Sequence, residues 1–258
     1  MTKQFQDKTV LITGASSGFG AAFAHAFAKE GAQLVILARR KERLEELASE
    51  LKTKYNTDTH LICVDIANTK EVIKQLNELP EKFATPDILI NNAGLVRGLH
   101  NIWETSPDQW NEVIDINVKG ILTTCFQVIP RMLKRNSGHI INIGSISGHD
   151  SYPGGGVYCA TKYAVTALTD TLRKELVATP LRVSMISPGM AQTEFSKVRY
   201  KDDEKRAAKV YENFEALQAD DIAEIVLFMA SRPPHVNIAD VIVYPTHQAS
   251  VSILHRSS

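Results

Sequence analysis

Seven short apolar runs, separated by longer helix-like segments, constrain this chain more than any other feature. They are "TVLIT" (9–13), "QLVILA" (33–38), "HLICVD" (60–65), "DILINN" (87–92), "HIINIGS" (139–145), "RVSMIS" (182–187) and "DVIVYP" (240–245). A strand wetted on one side alternates apolar and polar residues; a strand covered on both sides does not, and these runs do not. Between them lie "AAFAHAFAKEG" (21–31), stopped by Gly31, and "KERLEELASELKTK" (41–54). A segment near 68–79 leads to Pro80. Longer stretches cover 107–135 and about 156–178, and "ADDIAEIVLFMAS" closes the series at 219–231. Strands alternating with helices give a parallel sheet with right-handed crossovers. The expected fold is therefore α/β, a doubly wound seven-stranded parallel sheet with helices on both faces. A chain of 258 residues with 44% hydrophobic content can bury that core as a single domain, 1–258.

Ligands of such sheets bind beyond the carboxyl ends of the strands, so the strand ends are where chemistry is sought. The first run ends in "TGASSGFG", with Gly14, Gly18 and Gly20 in a spacing other than G-x-G-x-x-G. Glycine serves where φ is positive or where backbone must approach a phosphate, and the helix start that follows offers free N–H groups to an anion. With Ser16, Ser17 and Phe19 the loop reads as a nucleotide-binding one rather than a merely structural glycine turn, and the expected fold is Rossmann-like, with a cofactor half to about 145 and catalytic and substrate elements from about 145 to 258. The second run ends in Ala38, Arg39 and Arg40, where a carboxylate would bind a ribose 2′-hydroxyl. Guanidinium groups in its place favour NADP over NAD, unless both arginines are merely solvated at a helix start. Asp65, beside Ile66 at the third strand end, either accepts from the adenine amino group or caps the next helix.

Net charge is zero and the sequence pI is about 7.1, which argues against nucleic-acid partners and anionic membrane surfaces. Three dispersed cysteines give no disulfide framework, and the N-terminus has no apolar leader core, so a cytoplasmic setting is expected. No apolar run reaches spanning length, and no H-x-x-x-H occurs, so neither a membrane segment nor a metal is expected.

The stretch "SYPGGGVYCATKYAV" (151–165) places Tyr158 and Lys162 four residues apart, on one face of a helix with about 6 Å of rise between them. Alone, the pair reads more readily as a packed tyrosine and a solvated lysine. It stands, however, in order with the T-G-x-x-x-G-x-G loop, "NNAG" (91–94), Asn117, "GSISG" (144–148) and "SPGMAQTEF" (187–195). This set resembles the short-chain dehydrogenase/reductase family over essentially the whole chain. The resemblance implies that Tyr158 exchanges the proton, Ser145 orients the substrate oxygen, and Lys162 binds the nicotinamide ribose. It also implies that Asn117 holds a water of a proton relay. Pro188, Gly189, Ala191 and Thr193 would hold the carboxamide, and Asn91, Ala93 and Gly94 would line the cofactor side. The ammonium of Lys162 and the charge of an oxidised nicotinamide are expected to lower the tyrosine pKa from about 10. One departure is Ser17, where many NADP-preferring relatives carry a basic residue; phosphate recognition then falls to Arg39 and Arg40.

"GHIINIGSISG", "TEFSKVRYK" and "PPHVNI" resemble the NADP-dependent 3-hydroxy acid dehydrogenases, including serine and allo-threonine dehydrogenases. A small carboxylate substrate calls for a cation, with Arg199 the first candidate and Arg97 the second. Walls are expected from Leu95–His100, Ile146–Gly156 and the charged segment 194–209, a candidate lid. Reduction of neutral ketones, steroids or acyl-carrier substrates is the alternative within the enzymes; a catalytically silent NADP-binding regulator is the alternative outside them. The family implies a homo-oligomer, dimer or tetramer, paired through the helices at 107–135 and 156–178.

Overall fold

A computed structural model of the chain describes residues 3–200 and 203–256. β1 (Thr9–Thr13) lies at the centre of the sheet, paired on one side with β2 (Gln33–Ala38) and on the other with β4 (Ile88–Asn91). With β3 (Thr59–Cys63), β5 (His139–Ile143), β6 (Arg182–Pro188) and β7 (Asp240–Val243) the order is β3-β2-β1-β4-β5-β6-β7, parallel throughout. The winding reverses between β1 and β4, which opens a crevice at their carboxyl ends.

Successive side chains of β1 serve opposite faces, which is why the run shows no polar alternation. Val10 and Ile12 join Phe23 and Phe27 of α1 (Gly18–Lys29), Leu44 and Leu51 of α2 (Lys41–Tyr55), and Val226 of α9 (Ala219–Ala230). Leu11 joins Val72 of α3 (Thr69–Asn77), Val128 and Met132 of α5 (Gly120–Arg135), and Val165 of α6 (Gly156–Glu175). Each fully buried Phe or Leu contributes roughly 1.5–3 kcal/mol. Helix ends follow local chemistry: Gly31 takes a φ of +90° just past α1, and Asn56 and Asn136 cap α2 and α5 in the left-handed region.

The stretch expected as one helix at 107–135 is continuous but not uniform. A capping box of Ser106 and Gln109 starts α4 (Pro107–Ile114), a π turn occupies Asp115–Lys119, and α5 follows. Among the described residues this run is long and apolar enough to cross a bilayer, yet half of that window is buried against the rest of the fold. The described part of the polar segment 194–209, the candidate lid, forms two short helices, α7 (Phe195–Arg199) and α8 (Glu204–Lys209); 201–202 lie outside the described residues.

His139 opens β5 fully buried, its Nε2 2.7 Å from Ser184 Oγ and its Nδ1 without a partner. Burial, with Arg182 nearby, lowers its pKa to about 3 from 6.5. The unfolded chain therefore takes up this proton first as pH falls. The stabilisation is complete above pH 6.5 and is lost toward pH 3, at about 1.4 kcal/mol per pH unit. His139→Asn is expected to remove that slope from the unfolding free energy in denaturant titrations at a series of pH values; an unchanged slope would show that other groups set it.

Candidate active site

The glycine loop is fixed by close approach. Gly14 has a φ of +68°, and a Cβ there would lie 2.9 Å from Ala93 Cα. A Cβ on Gly20 would overlap the Gly14 carbonyl oxygen and come within 2.7 Å of Asn92 Nδ2. Asn92 stitches β4 to this loop, donating through Nδ2 to the carbonyls of Thr13 (2.8 Å) and Gly14 (3.2 Å). Thr13 Oγ1 accepts from the N–H groups of Asn92 and Ala93, both at 3.0 Å. Ser17 precedes α1 in an extended conformation without capping it through its side chain, and no acid occupies the first turn. The helix start is thereby left to an anion.

Above this loop opens a cleft of about 320 Å³ at the strand ends. Of the residues expected to hold a cofactor, Gly14, Ser16, Ser17, Gly18, Phe19, Arg39, Arg40, Asp65, Ile66, Ala93, Gly94, Tyr158, Lys162, Pro188, Gly189, Ala191 and Thr193 all line it. Gly20 acts from beneath, by letting the loop close. Asn91 needs correction. It is buried and faces away from the cleft, donating to Asn142 Oδ1 at 2.9 Å and accepting from Thr124 Oγ1 at 2.6 Å. Asn92 is the cleft residue of that pair. Asn91 is the last strand residue and points into the buried layer, whereas Asn92 lies just past the strand and is held toward the glycine loop by the Thr13 and Gly14 carbonyls.

At the end of β2, Arg39 Nη1 lies 3.4 Å from Asp65 Oδ2. Arg40 donates to the hydroxyls of Ser16 (3.0 Å) and Ser17 (2.7 Å) through Nη2, and to Glu194 Oε2 (2.9 Å) through Nη1. Burial raises the Glu194 pKa, but the Arg43 and Arg40 guanidiniums outweigh it and hold the carboxyl below its ordinary value. Asp65 also accepts from the Ala67 N–H at 3.0 Å, forming the turn before α3, while Asn68 caps the helix itself.

On the other side of the cleft Ser145 lies two residues past β5, and Tyr158 and Lys162 stand in the first two turns of α6. Two glycines precede that helix and a third opens it, because neighbours crowd them. Gly154 has a φ of +81°, a Cβ on Gly155 would overlap the Tyr152 ring, and one on Gly156 would come 2.6 Å from Ile102. Ser145 hydrogen-bonds Tyr158 and accepts from the Ser147 N–H at 3.1 Å. Lys162 Nζ donates to the Ile143 carbonyl at 2.8 Å and sits 5.9 Å from the Tyr158 ring centroid. Burial raises the Tyr158 pKa, against the pull of the Ser145 hydrogen bond, and lowers that of Lys162 to about 8. In the protein by itself desolvation sets the direction; the depression expected from Lys162 together with an oxidised nicotinamide belongs to the cofactor-bound enzyme.

Asn117 lies in the π turn with its side chain satisfied by protein. Its Oδ1 accepts from the Leu95 N–H at 2.8 Å, and its Nδ2 donates to the Leu95 carbonyl and Thr161 Oγ1 at 2.9 and 3.0 Å. It is not among the cleft residues. A buried polar chain runs beneath the site: Thr124 to Asn91, Asn91 to Asn142, and Asn142 Nδ2 to Thr169 Oγ1 at 2.8 Å, linking α5, β4, β5 and α6.

Arg97 cannot serve a substrate carboxylate as expected, because it grips both oxygens of Glu112 (2.7 and 2.5 Å) and the Val198 carbonyl (2.9 Å). Arg199 does not line the main cleft. It donates to the Gly98 carbonyl at 3.0 Å and to the Tyr152 hydroxyl at 2.7 Å, and it acts electrostatically on Tyr158. Phe195 and Val198 of the same short helix do line the cleft.

This set fits a phosphorylated dinucleotide. An open helix start and small hydroxyls suit a pyrophosphate, guanidiniums at the β2 end suit a 2′-phosphate, and a buried lysine near the tyrosine suits ribose hydroxyls. A family model for short chain dehydrogenases matches residues 8–204. The NADP-dependent 3-hydroxy acid dehydrogenase of Schizosaccharomyces pombe is 41% identical over 250 residues, covering 96% of each chain. Sulfoacetaldehyde reductase 2 of Chromohalobacter salexigens is 40% identical, covering 93% of this chain and 95% of that one. Among solved structures, the closed form of a serine dehydrogenase complexed with NADP+ superposes with a TM-score of 0.90 at 39% identity, over 96% of this chain and all of that one.

Proposed function

Because the chain belongs to the short-chain dehydrogenase/reductase family, we propose that it is an NADP-dependent oxidoreductase acting on the 3-hydroxyl of a small 3-hydroxy acid, such as serine or allo-threonine. The carrying observation is the convergence of Ser145, Tyr158 and Lys162 on one wall of a cleft whose far corner holds Arg39 and Arg40. NADP, when bound, supplies the carbon that accepts or returns a hydride. Ser145 and Tyr158 hold the substrate oxygen between two hydroxyls. Tyr158 takes the alcohol proton in oxidation and gives it back in reduction. Burial favours its neutral form, and positive charge from Lys162 and from an oxidised nicotinamide would favour the phenolate. Lys162, anchored on the Ile143 carbonyl, presents its remaining N–H groups to the ribose. Asn117 shapes the π turn and, as the family resemblance implies, supports a water relay to Lys162.

The relatives named for 3-hydroxy acids and serine support a carboxylate substrate. The Arg199 guanidinium, stacked at 5.5 Å from the Tyr152 ring centroid, is the cation assigned to it. The test is a panel of serine, threonine and allo-threonine isomers, 3-hydroxypropionate, 3-hydroxyisobutyrate and neutral secondary alcohols, followed by cofactor absorbance. Activity confined to the acids supports this reading. Activity on neutral alcohols or ketones alone removes the carboxylate site, and tight NADP binding without any turnover supports the silent regulator.

Arg39→Ala is expected to raise the KM for NADP at least about tenfold, in line with the loss of a charge-assisted contact, and that for NAD by less than about twofold. Equal changes would take Arg39 out of phosphate recognition. Exposed Leu122, Phe126 and Leu133 on α5 and Tyr163 on α6 support pairing of copies through these helices, as dimers or a homotetramer, which light scattering on the eluted protein would measure. Free Cys63, Cys125 and Cys159 support a reducing, cytoplasmic setting.

A further inference from the structure

Arg43 sits in the first turn of α2, three residues past Arg40, and is not among the residues that line the cleft. Its Nη1 donates to Glu194 Oε1 at 2.5 Å, while Nη1 of Arg40 donates to Oε2 of the same carboxylate at 2.9 Å. Two guanidiniums at the start of α2 therefore grip one carboxylate. They divide the work. Arg40 turns its other edge to Ser16 and Ser17, in the corner that would take the 2′-phosphate. Arg43 is left to hold Glu194.

Glu194 is the residue from which α7 starts. The next ring, Phe195, lies 5.7 Å from the ring of Tyr158, centroid to centroid. At the far end of the helix, the Val198 carbonyl accepts from Arg97, and Arg199 and Gly98 exchange hydrogen bonds. The segment 194–199 thus crosses the site from the phosphate corner to the substrate side. Its far end is tied by backbone contacts and by the Arg199 guanidinium, and its near end by the Glu194 carboxylate to α2 and by Ser196 Oγ, 2.7 Å from the Tyr211 hydroxyl.

We infer that Arg43 is a positioning residue for the reaction: through Glu194 it seats segment 194–199 against Tyr158, so the substrate wall is set from the cofactor corner. The side chains of Arg43 and Glu194 are 44% and 36% exposed, so the clasp is screened and its effect moderate. The same exposure lets it be released and remade as ligands enter. The meaning of a substrate KM rests on the oxidoreductase reading above; the seating of the wall does not.

The test compares wild type with Arg43→Gln, Glu194→Gln, the double variant and Arg43→Lys. In the NADP-saturated enzyme, Arg43→Gln is expected to raise the substrate KM about fivefold, equivalent to about 1 kcal/mol, with kcat held within about twofold. The double variant should be no worse than either single one, and Arg43→Lys should recover part of the loss. Without substrate, trypsin should cut after Lys197 and Arg199 about fivefold faster in both glutamine variants. Calorimetric affinity of Arg43→Gln for 2′,5′-ADP should stay within about threefold of wild type.

Unchanged trypsin cleavage would overturn the inference. So would additive losses in the double variant, or a fall in 2′,5′-ADP affinity that matches the rise in KM, which would make Arg43 a phosphate ligand. Wild-type protein that turns over none of the acids, with trypsin cleavage still accelerated in the variants, would sink the substrate reading and leave the clasp standing.

Discussion

Tyr158→Phe lowers kcat by at least about a hundredfold, the lower end of what a positioned proton donor contributes. The ring keeps its shape, so its contact with Phe195 at 5.7 Å and its place in the first turn of α6 survive. The change removes one buried hydroxyl that hydrogen-bonds Ser145. Cofactor affinity, measured by calorimetry, should move by less than about threefold, and the thermal midpoint by only a few degrees. Burial favours the neutral phenol, so the step is sensitive to every positive charge near it. Near-normal turnover in the phenylalanine variant would remove Tyr158 from proton transfer and leave Ser145 or a water in its place.

Gly20→Ala carries the second large effect, and it comes from packing. An added Cβ meets the Gly14 carbonyl oxygen, Asn92 Nδ2 at 2.7 Å and Ala15 Cα at 2.8 Å. Two of these neighbours are backbone, so no side-chain rotation relieves the overlap. The loop must lift away from β4, and the bonds from Asn92 to the carbonyls of Thr13 and Gly14 lengthen. Overpacking of this kind costs about 1–3 kcal/mol, or roughly 2–6 °C in Tm for a chain of this size. Because the same loop presents the helix start to the pyrophosphate, NADP affinity should fall more than about tenfold. Wild-type affinity and Tm would mean that the loop yields without cost.

The sheet was legible because parallel strands buried on both faces write themselves as unbroken apolar runs. All seven runs became strands, and their ends moved by at most two residues. The meeting of Ser145, Tyr158 and Lys162 in one cleft was legible because their spacing is set by one helix and one strand end. The roles of Asn91 and Asn92 were not, since two identical neighbours differ only in the face to which each points. The π turn at Asp115–Lys119 left no mark beyond Asn117, because its extra residue is accommodated by hydrogen bonds to Leu95 and Thr161 distant in sequence. Arg97 and Arg199 looked alike as isolated cations; only the fold shows that Glu112 engages the first and Tyr152 the second. Arg43 and Glu194 escaped notice for the same reason, lying 151 residues apart. The desolvation that lowers Lys162 and raises Tyr158 is likewise a property of enclosure, which no local spacing reports.

The polar chain from Thr124 through Asn91 and Asn142 to Thr169 is fully buried and passes directly under the reacting groups. Breaking any link strands an amide or hydroxyl in an apolar interior, which makes slippage of α6 against the sheet expensive. The walls that meet the substrate are built differently, from short helices and loops held by partly exposed ion pairs. Proton transfer and substrate choice therefore reside in parts of the molecule with unequal tolerance to change. On the proposed reading, substitutions within 194–199 or 95–100 would reshape the substrate wall while leaving intact the buried ladder that fixes α6.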